Sequence, residues 1–245
     1  MKTVFTTLLV FILFSCKKEE DRSCFKTIGS HYSKEILVQN VRDLVLNSDI
    51  TYLLVLDSQE KVVLKGGKNL LNFIAINQVG NELTIENNNK CAFLRNYKDD
   101  IVVEIHYVDL KTISFSGSKL LKSSSPLQID TLSIRSFDGS GTIDLAIQAN
   151  CLKLNAEFGY TDFLIKGTVN YLTCNFGGSS FADLYDLQIN DSITVVSNSQ
   201  RDVKTKPSNV RFKAQVNQSG NILYKGIPSS IYYSRFGTGE LINAN

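Results

Sequence analysis

From residue 31 onward the chain is a series of short apolar runs broken by polar turn residues. The runs include Ile36–Val38, Leu44–Leu46, Tyr52–Leu56, Val62–Leu64, Leu83–Ile85 and Ile101–Ile105, separated by Gly, Asn, Ser and Asp. Short β-branched and aliphatic runs bounded in this way predict strands. No capped apolar stripe of period 3.6 extends over a dozen residues, so no helix is predicted there.

The second half adds a longer period. Inward pairs one residue apart recur as Leu132/Ile134, Leu152/Leu154, Leu172/Cys174, Ile193/Val195, Phe212/Ala214 and Ile231/Tyr233. Their first members are spaced by 20, 20, 21, 19 and 19 residues. A second set, Ile143, Phe163, Ala182, Val203, Ile222 and Leu241, is spaced by 20, 19, 21, 19 and 19. Turn residues such as Asp138-Gly139-Ser140-Gly141, Gly177-Gly178 and Ser219-Gly220-Asn221 fall between the sets.

A unit of about 20 residues cannot bury its own apolar face, but stacked units bury each other's. The prediction is an all-β parallel solenoid, whose strands pair with the next rung at ~4.8 Å. An antiparallel sandwich would space its strands irregularly, at roughly 8–12 residues. About ten rungs would make a rod roughly 50 Å long. Asn155 and Asn175, each three residues past its marker Leu, are expected to form an amide ladder. Tyr232, Tyr233, Arg235 and Phe236 crowd the last rung, and the favoured reading is a cap over the core.

The N-terminus follows another pattern. Lys2 precedes an eleven-residue apolar run, Val4–Phe14, then Ser15-Cys16-Lys17-Lys18. That run is about half of the ~20 residues a membrane-spanning helix needs, so it reads as a secretory signal. Leu13-Phe14-Ser15-Cys16 resembles a bacterial lipobox, which implies acylation of Cys16 and a new N-terminus there. The charged stretch Lys17–Arg22 cannot pack and reads as a solvated tether. Within it Lys18-Glu19-Glu20 resembles the export signal that sends Bacteroidetes lipoproteins to the cell surface. The expected organisation is a signal peptide at 1–15, a lipidated start and flexible tether at 16–30, and one solenoid domain at 31–245. The expected location is the outer membrane, lipid-anchored and facing outward.

Charge and cysteines refine this. The formal net charge is +2, with no Lys/Arg stripe, so no nucleic-acid partner is expected. Besides Cys16 the chain has Cys24, Cys91, Cys151 and Cys174. Cys174 shares the parity of inward Leu172, whereas Cys151 is out of phase with inward Leu152. The rung-mate of Cys151 is Tyr171, three strand residues (~10 Å) from Cys174. That exceeds the ~7 Å Cα limit for a bridge. Partly by elimination, the expected disulfide is Cys24–Cys91.

Several segments also resemble a known family. Gly67-Lys68-Asn69-Leu70-Leu71, Ile74-Ala75-Ile76 and Asn81-Glu82-Leu83-Thr84-Ile85-Glu86-Asn87 are similar to the putative auto-transporter adhesin, head GIN domain family, common in Bacteroidetes. So are Ser219–Pro228 and Gly237-Thr238-Gly239-Glu240-Leu241-Ile242. The resemblance spans about 31–245 and implies a right-handed β-helix-like fold and an adhesive role. It carries no catalytic residues. Ser199-Gln200-Arg201-Asp202 lacks the turn Gly, and Lys204-Thr205-Lys206-Pro207 is a weak strand, so irregular rungs are expected near 197–209.

Candidate chemistry is sparse. The only histidines are His31 and His106. His106 sits opposite Ile105 by strand alternation and reads as a surface residue. No clustered Cys/His spacing points to zinc, and no cofactor is expected. The strongest catalytic alternative is a carboxylate pair on a β-helix, with Asp144 and Asp162 at neighbouring offsets. Gly139-Ser140-Gly141 lacks the Lys and following helix of a phosphate loop. The preferred reading is a non-enzymatic binding module for a glycan or a cell-surface protein; a purely structural envelope role is a further alternative. Acidic residues clustered on one face of adjacent rungs would favour an enzyme. Hydroxyl-rich or aromatic faces would favour binding.

Overall fold

The computed structural model describes Cys24 and residues 26–91 and 100–245. The signal, lipobox and export-signal readings, Cys16 included, lie outside them. The described chain is almost entirely strand and forms one continuous 19-stranded sheet wound into a parallel β-solenoid of about 7 turns.

The regular part begins with β8 (Thr112–Gly117) and β9 (Leu120–Ser123). It continues through β10 (Leu127–Ser136), β11 (Thr142–Ala156), β12 (Asp162–Gly178), β13 (Phe181–Leu184) and β14 (Leu187–Ser199). It ends with β15 (Val203–Thr205), β16 (Arg211–Val216), β17 (Ile222–Tyr224), β18 (Ser230–Arg235) and β19 (Leu241–Asn243).

Both predicted repeat sets stack in register. Leu132 pairs with Leu152, then Leu172, Ile193, Phe212 and Ile231. Ile143 pairs with Phe163, then Ala182, Val203, Ile222 and Leu241. Most of these inward side chains are fully buried, Leu132, Ile143, Leu152 and Phe163 at 0% exposure. Burying an aliphatic or aromatic side chain of this size contributes about 1.5–3 kcal/mol. The columns therefore supply the driving force for stacking. In the last rung Ile231 and Tyr233 lie over Phe212 and Ala214, which are 2% and 0% exposed. This rung does cover the core, while Tyr232 and Phe236 face solvent.

The N-terminal third is less regular, and this shortens the solenoid from the expected ten rungs to about seven. Seven rungs at ~4.8 Å span roughly 34 Å. Here β2 (Asp43–Ser48) pairs in parallel with both β6 (Glu82–Asn87) and β8. β3 (Thr51–Leu56) does the same with β7 (Val102–Tyr107) and β9. The remaining strands turn antiparallel. β4 (Lys61–Gly67) runs between β1 (His31–Leu37) and β7, and β5 (Ile74–Val79) forms a hairpin with β6.

One short helix, α1 (Lys68–Leu71), buries Leu70 and Leu71. Four residues are too few to display a helical period, so the sequence pattern missed it. The preceding chain is laid against this turn. Asn69 N–H donates to the Ile28 carbonyl at 3.1 Å, and Lys26 Nζ sits 3.4 Å from the centre of the Phe73 ring. Cys24 and Cys91 are bonded, with their Cα atoms 5.4 Å apart, joining this segment to the end of β6. Cys151 and Cys174 are free, the latter fully buried with its thiol pKa pushed up by desolvation.

Candidate binding surface

The broad outer face is built from β18, β16 and the second halves of β10, β11, β12 and β14. Alternation turns every second side chain outward, and parallel register aligns them in columns. One column runs Thr131, Cys151, Tyr171, Ser192, Arg211, Ser230. The next runs Ser133, Lys153, Thr173, Thr194, Lys213, Tyr232, and a third Arg135, Asn155, Asn175, Val196, Gln215, Ser234. These columns hold hydroxyls, amides, four cations and two tyrosines, and no carboxylate.

Polar ladders tie the rungs together. The expected Asn155/Asn175 alignment is present in the register. The hydrogen bonds continue upward instead: Asn198 Nδ2 donates to Asn175 Oδ1 at 2.8 Å, and Asn217 Nδ2 to Asn198 Oδ1 at 2.6 Å. A second ladder was not anticipated. Asn170 donates to Asn150 at 3.0 Å and Asn190 to Asn170 at 3.1 Å. These residues stand where backbone pairing lapses between Val169 and Tyr171, so the amides bridge rungs there. Their signal was available: Asn at 150, 170 and 190 repeats with a period of 20.

Beside the first column, Asp191 accepts from Tyr171 Oη at 3.0 Å and from Arg211 Nη2 at 2.8 Å. Arg211, and then Tyr171, hold its carboxyl below the usual carboxylate range. The same bond raises the Tyr171 phenol.

The candidate acidic residues are not direct rung-mates. Asp162 aligns with Thr142, and Asp144 with Leu164. Asp144 pairs with Lys166 at 3.5 Å, and Asp162 with Arg201 at 2.7 Å. Each carboxylate is thus engaged by its own cation. Asp183 is likewise paired with Lys204 at 3.2 Å.

His106 lies on the outer side, as alternation requires, yet only 14% of its side chain is exposed because β4 packs alongside. Its Nδ1 is 2.8 Å from Asp57 Oδ2, which lowers the Asp57 pKa. No hydroxyl or thiol hydrogen-bonds to His106 Nε2 among the described residues. The pair therefore lacks the nucleophile of a triad. His31 is exposed on β1. Among the described residues, no three His, Cys, Asp or Glu side chains gather to hold a metal ion.

The columns and ladders describe a repetitive surface, and known proteins share the fold beneath it. The family model of the putative auto-transporter adhesin, head GIN domain, matches residues 42–228. The chain belongs to this family.

Solved structures share this solenoid fold. A putative adhesin from Bacteroides fragilis superposes with a TM-score of 0.76 at 19% identity, covering 87% of this chain and 97% of that one. A putative adhesin from Parabacteroides distasonis has a TM-score of 0.58 at 21% identity, over 87% and 96%. A putative lipid binding protein from the same species has a TM-score of 0.61 at 17% identity, over 88% and 98%. At these identities the likeness concerns the fold. No curated protein matches the chain. No helix among the described residues is long and apolar enough to cross a membrane.

Proposed function

We propose that this head GIN protein is a surface-displayed adhesin-type binding module that captures a glycan or a cell-surface protein without turning it over. The observation that carries the reading is the broad outer face, with aligned hydroxyls, amides, cations and tyrosines and no carboxylate in its three columns. Columns repeating every ~4.8 Å favour many weak contacts with a polymer. Multivalency of that kind raises avidity by ~10²–10⁴. The separate ion pairs of Asp144 and Asp162 argue against the carboxylate-enzyme alternative.

Display would come through acylation of Cys16, since each buried CH₂ of a lipid chain contributes about 0.8 kcal/mol to membrane binding. A signal peptide at 1–15, a lipidated tether and export guided by Lys18-Glu19-Glu20 belong to the same proposal. An alkyne fatty acid should label the wild type and not Cys16→Ala, and protease shaving of intact cells should remove the protein. Equal labelling of both, or full protection in intact cells, would end the display reading.

For binding, a deletion strain should lose adhesion or glycan capture. Wild type and the double variant Asp144→Asn, Asp162→Asn should restore it equally, and Lys153→Glu with Lys213→Glu should not. Depolymerisation of a polysaccharide by the purified chain, abolished by the double Asp→Asn variant, would overturn the non-catalytic reading.

A further inference from the structure

The last rung presents an open strand edge. On the broad face β10, β11, β12, β14 and β16 are each paired on both sides. Among the described residues β18 pairs only with β16. Phe236 N–H donates to the Val216 carbonyl, so Tyr232 and Ser234 turn their peptide groups toward β16. Ile231 and Tyr233 then turn their N–H and C=O groups toward the free edge.

The side chains there are apolar and uncovered. Ile231 and Tyr233 continue inward columns in which Phe212 and Ala214 are 2% and 0% exposed, yet they are themselves 44% and 39% exposed. Ile227, Tyr232, Phe236 and Ile242 are exposed around them. Taking 150–250 Å² for each side chain of this size, the six offer roughly 700 Å². A standard protein interface covers about 800 Å² per partner.

Free edges are ordinarily guarded by charge or proline. At the other end β1, which pairs only with β4 among the described residues, carries Lys34 and Glu35. β18 contains neither lysine nor proline. Its one charge, Arg235, is turned back onto Glu240 at 2.9 Å and onto the Gly237 and Thr238 carbonyls.

We propose that this end is the interface of a homodimer, in which β18 pairs antiparallel with β18 of a second copy. The strand is self-complementary. Opposite residues of an antiparallel pair share a face, so inward residues must meet inward residues, and edge-facing peptide groups must meet each other. A twofold axis at Tyr232 satisfies both. Ile231 then lies opposite the partner's Tyr233, apolar against apolar, and the two exchange both backbone hydrogen bonds. Moving the axis to Tyr233 would set Ile231 against the partner's Arg235 and disturb the Arg235–Glu240 pair. Residues 229–234 are uncharged, so two copies meet there without like-charge repulsion. The contact is isologous and closes at two chains. It is separate from the broad-face adhesion argued above, and either can be lost alone.

The axis position gives a direct test. Tyr232 would face its own counterpart in a non-hydrogen-bonded pair, with Cα atoms about 4.5 Å apart, within the range of a disulfide. The background is the purified full chain with Cys16→Ser and Cys151→Ser, which removes the anchor and the half-exposed thiol. By sedimentation at high micromolar concentration it should be a dimer. Adding Tyr232→Cys should give a disulfide-linked dimer under mild oxidation at least tenfold faster than adding Thr194→Cys, which lies in the same column two rungs inside. Ile231→Asp should weaken the dimer at least tenfold while circular dichroism stays unchanged. A monomer at that concentration, equal cross-linking at 194 and 232, or a dimer that survives Ile231→Asp with its fold intact would each overturn the proposal.

Discussion

Asp191 shows how a surface residue in this fold is defined by its rung neighbours. Its partners Tyr171 and Arg211 lie 20 residues away on either side, and both favour its charged form. A carboxylate with a lowered folded-state pKa contributes stability above the ordinary Asp value of about 3.9. That contribution is lost as pH falls through the folded pKa. Carboxyl NMR titration should place the Asp191 midpoint below the ordinary value, and Arg211→Ala should move it back up. An unchanged midpoint in that variant would contradict the assignment. Inside the solenoid, Thr205 Oγ1 is buried without a hydrogen-bond partner, in register with Leu184. Thr205→Val is therefore expected to raise stability by about 1 kcal/mol, because an unpaired buried hydroxyl costs about 1–3 kcal/mol. A lower midpoint in a denaturant melt would show that the hydroxyl does have a partner.

At the scale of the strand and its corners, turn chemistry matters as much as apolar content. Gly167 sits within β12 at a φ of +119°, and a Cβ there would lie 2.1 Å from the Ile147 carbonyl oxygen. Both the left-handed backbone and the close approach of the previous rung require glycine. Gly167→Ala should cost about 2–3 kcal/mol, read as a lower chemical-denaturation midpoint. No change would mean that the corner can relax. The rung near 199 solves its missing glycine differently. Ser199 Oγ donates to the Ser180 carbonyl at 2.7 Å and accepts Arg201 N–H at 3.0 Å, so a side chain closes the turn. The weak strand expected at 204–207 is three residues long in β15 and then gives way to a loop at 206–210.

For the whole molecule the two ends are unlike. The C-terminal rung simply stacks on its predecessor, whereas the N-terminal end is closed by α1, antiparallel strands and the Cys24–Cys91 link. That link spans 67 residues, for which loop-closure entropy predicts roughly 4 kcal/mol of stabilisation. Replacing both cysteines by Ser should lower the unfolding midpoint and expose residues 26–30 to protease, leaving the C-terminal rungs folded. Non-reducing peptide mapping that finds Cys24 as a free thiol would refute the pairing. In the native chain, alkylation should reach half-exposed Cys151 well before buried Cys174. Equal rates would mean that the rung opens readily.

The repeat, the strand identity and the inward columns were legible in the sequence. Burial is nearly a property of each position alone: inward sites are apolar in most rungs, and Leu132 to Ile231 record this directly. The N-terminal third was not legible, because β1, β4 and β5 reverse direction and erase the period. The outer surface depended on tertiary structure for a different reason. A polar side chain's role is set by whichever residue the stacking brings beside it, as His106 meets Asp57 across 49 residues and Asp162 meets Arg201 across 39. Rung lengths of 19 to 21 residues decide the second of these meetings, and a shift of one residue would send each side chain to the other face. Apolar burial thus wrote the solenoid into the sequence, while the separate cation partners of Asp144 and Asp162 and the pairing of His106 with Asp57 were decided only when the chain folded.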